Sequence, residues 1–334
     1  MIIFLVYVHI SVCFIIKFIK INIFSFKSIF FNSLYTLTYK NIHGVKSMCS
    51  EHVTIMIKGS VNDMFGEFCY FLTEIFPELN RLCKAHDIDI DYVDSFYSIS
   101  KEDKENNRLI LANLNSIDLD RTFFICFRGQ RLGWVPSEDD VDKLTLEVYP
   151  ELVNYIGAVS ITELSIMHAL KPFEKYESGE LISLPSVKHA LFYFRNPNYL
   201  ENLDDYQKLF YTNSPMGEDA EVPDLNVAKA KDLIYDTKED LDLQCITDNQ
   251  ITIRHYDGIW DNDLNRNYFI NQYMEKYAEL KGFSSSMSID FEHLFDEGAI
   301  GCFGDFRCDD KSLKECIIED VMESLKMEFP DNFN

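Results

Sequence analysis

One carboxylate in this chain stands where it could do chemistry: Glu163, in the run Ser160-Ile161-Thr162-Glu163 that opens an apolar-faced helix. The same spacing has a structural use. A serine followed three residues later by glutamate is a capping box, worth about 1 kcal/mol to a helix start. Glu163 is read first as a cap and second as a catalytic group. Two other places could meet an anion. Lys58, Gly59 and Ser60 leave one apolar run, while Arg128, with Arg131 close behind, leaves another. Such groups can hold a phosphate or a partner's carboxylate, although a surface ion pair is the commoner fate of an arginine. No G-x-G-x-x-G loop accompanies them. His168 reads as a core or boundary residue, and no histidine pair has ligand spacing, so no metal is expected. Trp134 and Pro136 read as packing at the sheet edge.

These groups need elements to position them. Thr122 to Phe127 is apolar almost without alternation, which fits a central parallel strand covered by helices on both faces. Val53 to Ile57, Ile88 to Val93, Lys188 to Phe194 and Gln250 to His255 read as four more strands. Apolar residues from Phe68 to Cys83 recur at helical spacing, with Pro77 expected to bend or break the helix. Further helices are expected around residues 108–117, 160–170, 227–243, 268–280 and 313–325. Residues 137–158 read as an acidic surface insertion, 201–225 as an acidic loop, 256–260 as a turn and 281–310 as a loop. The order is that of a doubly wound α/β sheet of five parallel strands, with strands one to four in residues 48–200 and the remainder, ending in an amphipathic helix, in 226–334. In such sheets the residues just beyond the carboxyl ends of the strands are where a ligand is met.

Composition narrows the function. The 334 residues are 47% hydrophobic and carry a formal charge of −24. Residues 1–48 hold five lysines and no acid, leaving 26 basic residues against 55 acidic ones in the rest. Direct nucleic-acid binding is disfavoured and protein partners are expected. The nine cysteines are scattered, with no CxxC pair, as in a reducing compartment, so a cytoplasmic or nuclear location is expected. Met1 to Ile16 is apolar but falls short of the roughly 20 residues that span a bilayer. Residues 1–47 have the bias of translated A/T-rich DNA, and the expectation is a native start at Met48, with a membrane anchor flanked by Lys17 and Lys20 as the alternative.

Four blocks carry a resemblance: VNDMFGEFCYFLTEIFPELNRLC, NNRLILANLNSIDLDRTFFICFRGQRLGWVP, SITELSIMHAL and ALFYFRNPNYL. In order and spacing they resemble, across roughly residues 52–333, the TIR-like domain of unknown function that precedes NACHT in telomerase protein component one and in related NACHT/WD-repeat and nephrocystin proteins. The chain departs from that pattern at Lys58-Gly59-Ser60-Val61-Asn62, at Glu67-Phe68 and at Asp94-Ser95-Phe96-Tyr97-Ser98, where the family's polar signatures stand. No G-x-x-x-x-G-K-[ST] occurs, so the expectation is a stand-alone module or a fragment without its own P-loop.

The resemblance implies a TIR-like fold and a non-catalytic module working by self-association or partner docking in a NACHT-type scaffold. Any telomerase or ribonucleoprotein role is carried by the family alone. It also implies one alternative, a TIR-type NAD glycohydrolase. There the dinucleotide would lie across Lys58, Gly59, Ser60 and Arg128, and Glu163 would polarise the ribose.

Overall fold

The computed structural model describes residues 50–94, 106–203, 250–261 and 302–334 apart from 120, 132, 185 and 186, together with Lys208, Tyr211 and Glu275. The loops expected at 201–225 and 281–310, in large part, and the helices expected at 227–243 and 268–280 fall outside these residues, as does the segment 1–47.

The chain begins with β1 (Glu51–Lys58), α1 (Val61–Tyr70), α2 (Phe76–Lys84) and β2 (Ile88–Asp94). Next come α3 (Leu109–Ile117), β3 (Thr122–Arg128), α4 (Lys143–Val148) and α5 (Ile161–Leu170). A short hairpin, β4 (Lys175–Glu177) and β5 (Glu180–Ile182), precedes β6 (His189–Arg195). The described part closes with β7 (Gln250–Asp261), β8 (Cys302–Cys308), β9 (Lys311–Ser312) and α6 (Leu313–Glu328).

The main sheet has the order β2-β1-β3-β6-β7-β8-β9. Neighbours from β2 to β7 are parallel, which makes the fold α/β as the apolar runs require. The sheet has seven strands rather than five, because β8 and β9 add antiparallel to the far side of β7. Residues 256–260, read as a turn, instead continue β7 through a bulge between Asp257 and Ile259, where Gly258 accommodates the irregular backbone. β8 was hidden in a glycine-rich, charged stretch, yet its Asp305-Phe306-Arg307-Cys308 alternates exposed and buried residues, as a strand with one covered face should.

Successive side chains of the central strands feed two separate cores. Val53, Ile55, Ile57, Phe123, Ile125, Phe127, Leu191 and Tyr193 pack with α1, α2 and α6 on one face. Met56, Phe124, Cys126, Ala190, Phe192 and Phe194 pack with α3 and α5 on the other. Every residue of β3 and β6 is buried, hence the apolar runs without alternation.

Pro77 does not break its helix. The α1 and α2 segments are joined by a π-helical turn, Phe71–Ile75, and Pro77 sits in the first turn of α2, where no helical N–H is demanded of it. The Phe76 N–H reaches back to the Phe71 carbonyl, and Thr73 Oγ1 donates to the Cys69 carbonyl at 2.8 Å.

Candidate functional site

The carboxyl ends of the parallel strands carry a layer of buried polar residues. Lys58 ends β1, Asp94 ends β2, Arg128 ends β3 and Arg195 ends β6, each no more than 2% exposed. Tyr256 stands beside Arg195 on β7. β1 lies between β2 and β3, so the chain reverses its winding at this rim, the place where open parallel sheets bind ligands.

Lys58 turns toward α3, where its Nζ donates to Asn113 Oδ1 at 2.8 Å and to Ser116 Oγ at 3.2 Å. Burial pushes its amine down to about 7 against the opposing pull of the Asp94 carboxylate and the Cys126 thiol. Gly59 is fixed by contact: a Cβ there would lie 2.8 Å from the Phe127 carbonyl oxygen, so any side chain would force β1 and β3 apart. Ser60 is the N-cap residue of α1 and makes no side-chain capping bond. A dinucleotide lying across these strand ends would reach Lys58 only by drawing its amine away from Asn113.

Around Arg195 the polar layer is most developed. Arg195 Nη1 and Glu67 Oε1 lie 2.7 Å apart, both side chains fully buried, and Tyr256 donates to the same Glu67 oxygen at 2.8 Å. Arg195 Nη2 donates to Tyr199 Oη at 3.3 Å, Tyr199 donates to Gln130 Oε1 at 2.9 Å, and Gln130 Nε2 donates to the Arg195 carbonyl at 3.1 Å. The guanidinium carbon lies 4.5 Å from the Tyr199 ring centre and 5.8 Å from that of Tyr211. No local sequence pattern links Glu67, Gln130 and Arg195, which are far apart in the chain. The signal was a charged residue directly after each apolar run, four strands in succession.

The loop after β3 leads from this rim to Glu163. Gly133 takes φ of +95°, which favours glycine, and a Cβ there would approach Thr162 Oγ1 at 3.4 Å. The Ile161 N–H donates to the Trp134 carbonyl at 3.0 Å, setting the start of α5 beneath the loop. Glu163 forms the capping box: the backbone N–H and the hydroxyl of Ser160 donate to Glu163 Oε2 at 3.0 and 2.9 Å, and the Glu163 N–H donates to Ser160 Oγ at 3.2 Å. Trp134, expected to pack, is 47% exposed.

A second polar cluster lies at the opposite pole, where the chain enters β3. Asp118 accepts from His168 Nε2 at 2.7 Å, from Lys175 Nζ at 2.9 Å and from Tyr149 Oη at 2.7 Å. His168 Nδ1 accepts from the Phe173 N–H at 3.0 Å, which assigns the ring proton to Nε2. Burial alone would raise the Asp118 carboxyl, but these donors outweigh it and hold it below its usual range. His168 is thus a buried, doubly bonded histidine. Among the described residues no group of three His, Cys, Asp or Glu is arranged to hold a metal ion. No described helix is long and apolar enough to cross a membrane.

The class of protein defined so far is an α/β domain whose mostly parallel sheet is sealed at its carboxyl edge by buried charge. No family model matches the chain, and no solved structure matches it. Among curated proteins it is similar to telomerase protein component 1 of Mus musculus, at 26% identity over 176 residues, 51% of this chain and 6% of that protein. The Rattus norvegicus protein of the same name is 24% identical over 160 residues, 47% of this chain and 6% of its own length. A TPR repeat-containing protein of Dictyostelium discoideum is 25% identical over 180 residues, 51% of this chain and 10% of its length. The chain thus spans a tenth or less of each of these relatives.

Proposed function

We propose that this domain is a non-catalytic protein-interaction module of a telomerase-component-like, NACHT-type scaffold, built on a TIR-like sheet and acting by self-association or partner docking. The observation that carries this reading is the inward commitment of the groups that could do chemistry. Lys58 is bonded to α3, Arg195 to Glu67, and Glu163 caps its own helix. With those side chains engaged by the fold, the outer surface is what remains for function. Similarity to parts of much longer proteins, telomerase protein component 1 and a TPR repeat-containing protein, supports the same reading, and a cytoplasmic or nuclear location goes with it. The test is light scattering of the purified chain over a range of concentrations, with cross-linking in native extracts. Concentration-dependent assembly or a reproducible cross-linked partner is the expected result. A strictly monomeric protein that cross-links to nothing would sink the proposal.

One observation favours the second reading, hydrolysis of NAD at the strand ends. Both capping contacts of the Glu163 carboxylate use Oε2, and Oε1 has no hydrogen-bond partner among the described residues. The carboxylate could cap the helix and still present one oxygen to a ribose hydroxyl. Nicotinamide release by the purified chain, compared with Glu163→Gln, decides it. Glutamine preserves a capping box, so turnover abolished with an unchanged melting temperature would establish the enzyme, and absence of turnover in both proteins would remove it.

A further inference from the structure

Residues 137–182 carry a charge of their own, with ten carboxylates against three lysines. One of those lysines, Lys175, is spent on the buried Asp118. Lys143 is paired with Glu147 at 3.2 Å. Glu138, Asp139, Glu147, Glu174, Glu177 and Glu180 are exposed.

Large apolar side chains stand among these acids. Val153 is 65% exposed, Leu181 56% and Leu144 39%. They lie on elements that touch. α4, which carries Leu144, packs against the 3-10 turn Pro150–Asn154, which carries Val153, and against β4. β4 pairs with β5, setting Leu181 opposite Tyr176. The Glu174 N–H donates to Glu151 Oε2 at 3.3 Å, joining the hairpin to the 3-10 turn. Asp118 holds the layer from beneath through Tyr149 and Lys175. The apolar groups are therefore presented on a fixed base rather than on a loose loop.

Scattered single apolar residues need no explanation, but several on contiguous elements, among acids that outnumber the lysines able to pair with them, have the composition of a docking surface with a chosen partner charge. A second copy of this chain would bring the same negative surface and be repelled. We propose that the face formed by α4, the 3-10 turn and the β4–β5 hairpin binds a lysine- or arginine-rich amphipathic segment of a partner protein. Its apolar side meets Leu144, Val153 and Leu181, and its cations meet Glu147, Glu174, Glu177 and Glu180. This proposal rests on the interaction-module reading and adds the surface and the partner's chemistry.

The probe is a fluorescent synthetic helix with leucine on one side and lysine on the other, titrated by anisotropy against the full chain. A matched helix with glutamate for lysine serves as the control. Binding of the lysine helix alone is expected, weakening as salt is added. The double change Val153→Asp with Leu181→Asp, and separately Glu177→Lys with Glu180→Lys, should each weaken it about tenfold or more, about 1.4 kcal/mol. Asp89→Lys with Asp91→Lys, at exposed positions of β2 outside the proposed surface, should leave it unchanged. All of these positions are at the surface, so the variants keep their fold, checked by melting temperature.

No binding, or equal loss from the β2 variant, would overturn the proposal, the latter because it marks general attraction to an acidic protein. A dimer broken by Leu181→Asp would overturn it as well. The two readings fail separately: native cross-links mapping to another face discard this surface and keep the module, whereas no association of any kind discards the module.

Discussion

Burying the Lys58 amine opposes folding, and the opposition is measurable as a pH dependence. An unfolded chain returns that amine to the ordinary value of 10.5, whereas the folded protein holds it at about 7. Between those values the folded state binds fewer protons, so the stability associated with Lys58 is complete above the unfolded value and is lost as pH falls through the folded one. Stability should therefore rise from pH 7 toward about 8.5, by at most about 1.4 kcal/mol per unit. Beyond that the buried thiols of Cys83, Cys126 and Cys308, each pushed up to about 12, act in the opposite sense, since they stay protonated when the unfolded chain ionises. Denaturant titrations of wild type and Lys58→Met at several pH values check this. The methionine variant should lack the rise. A second residue-scale expectation concerns Glu67 and Arg195. Glu67→Gln or Arg195→Met alone should cost about 3–5 kcal/mol by leaving a buried charge uncompensated, while the two together should cost less than either. A double-mutant cycle in urea measures the difference, and additivity would show that the pair is not energetically linked.

At the scale of elements, the joint between α1 and α2 behaves as one residue too many. A π-helical turn closes its ring one residue wider than an α-helix, so Phe71–Ile75 absorbs an extra residue while Phe71, Leu72, Ile75 and Leu79 all stay on the buried face. The wider ring also clears the Pro77 pyrrolidine from the carbonyl it would strike in a regular helix. Deleting half-buried Thr73 alone should return that clash and destabilise by about 3 kcal/mol. Deleting Thr73 together with Pro77→Ala should give a continuous α-helix with stability near that of wild type. Thermal melts of both variants decide; equal damage in both would mean that the turn does more than absorb a residue. The short elements were the ones sequence reading missed. β8 and β9 total few residues, and β8 lies beside glycines that mimic a loop, so nothing local distinguished them from one.

Across the whole molecule, what could be read in advance was what burial writes into the chain. β3 and β6 are covered on both faces, and their apolar runs said so; Ser160 and Glu163 bond locally, and their spacing said so. The polar layer at the strand ends was legible only as separate charges. Arg195 and Glu67 are 128 residues apart, and no local pattern pairs them. The strands that fill two cores at once have a further consequence, visible in amide hydrogen exchange. A proton on β1, β3 or β6 can be released only when both helical layers detach, because each strand lends alternate side chains to each layer. Those amides should share one opening free energy, equal to that of complete unfolding. The β4–β5 hairpin, which belongs to neither layer, should exchange through smaller openings at lower cost. Exchange at rising denaturant would display the difference as two classes of slope, steep for the shared strands and nearly flat for the hairpin. A single class throughout would mean that the hairpin opens only with the sheet.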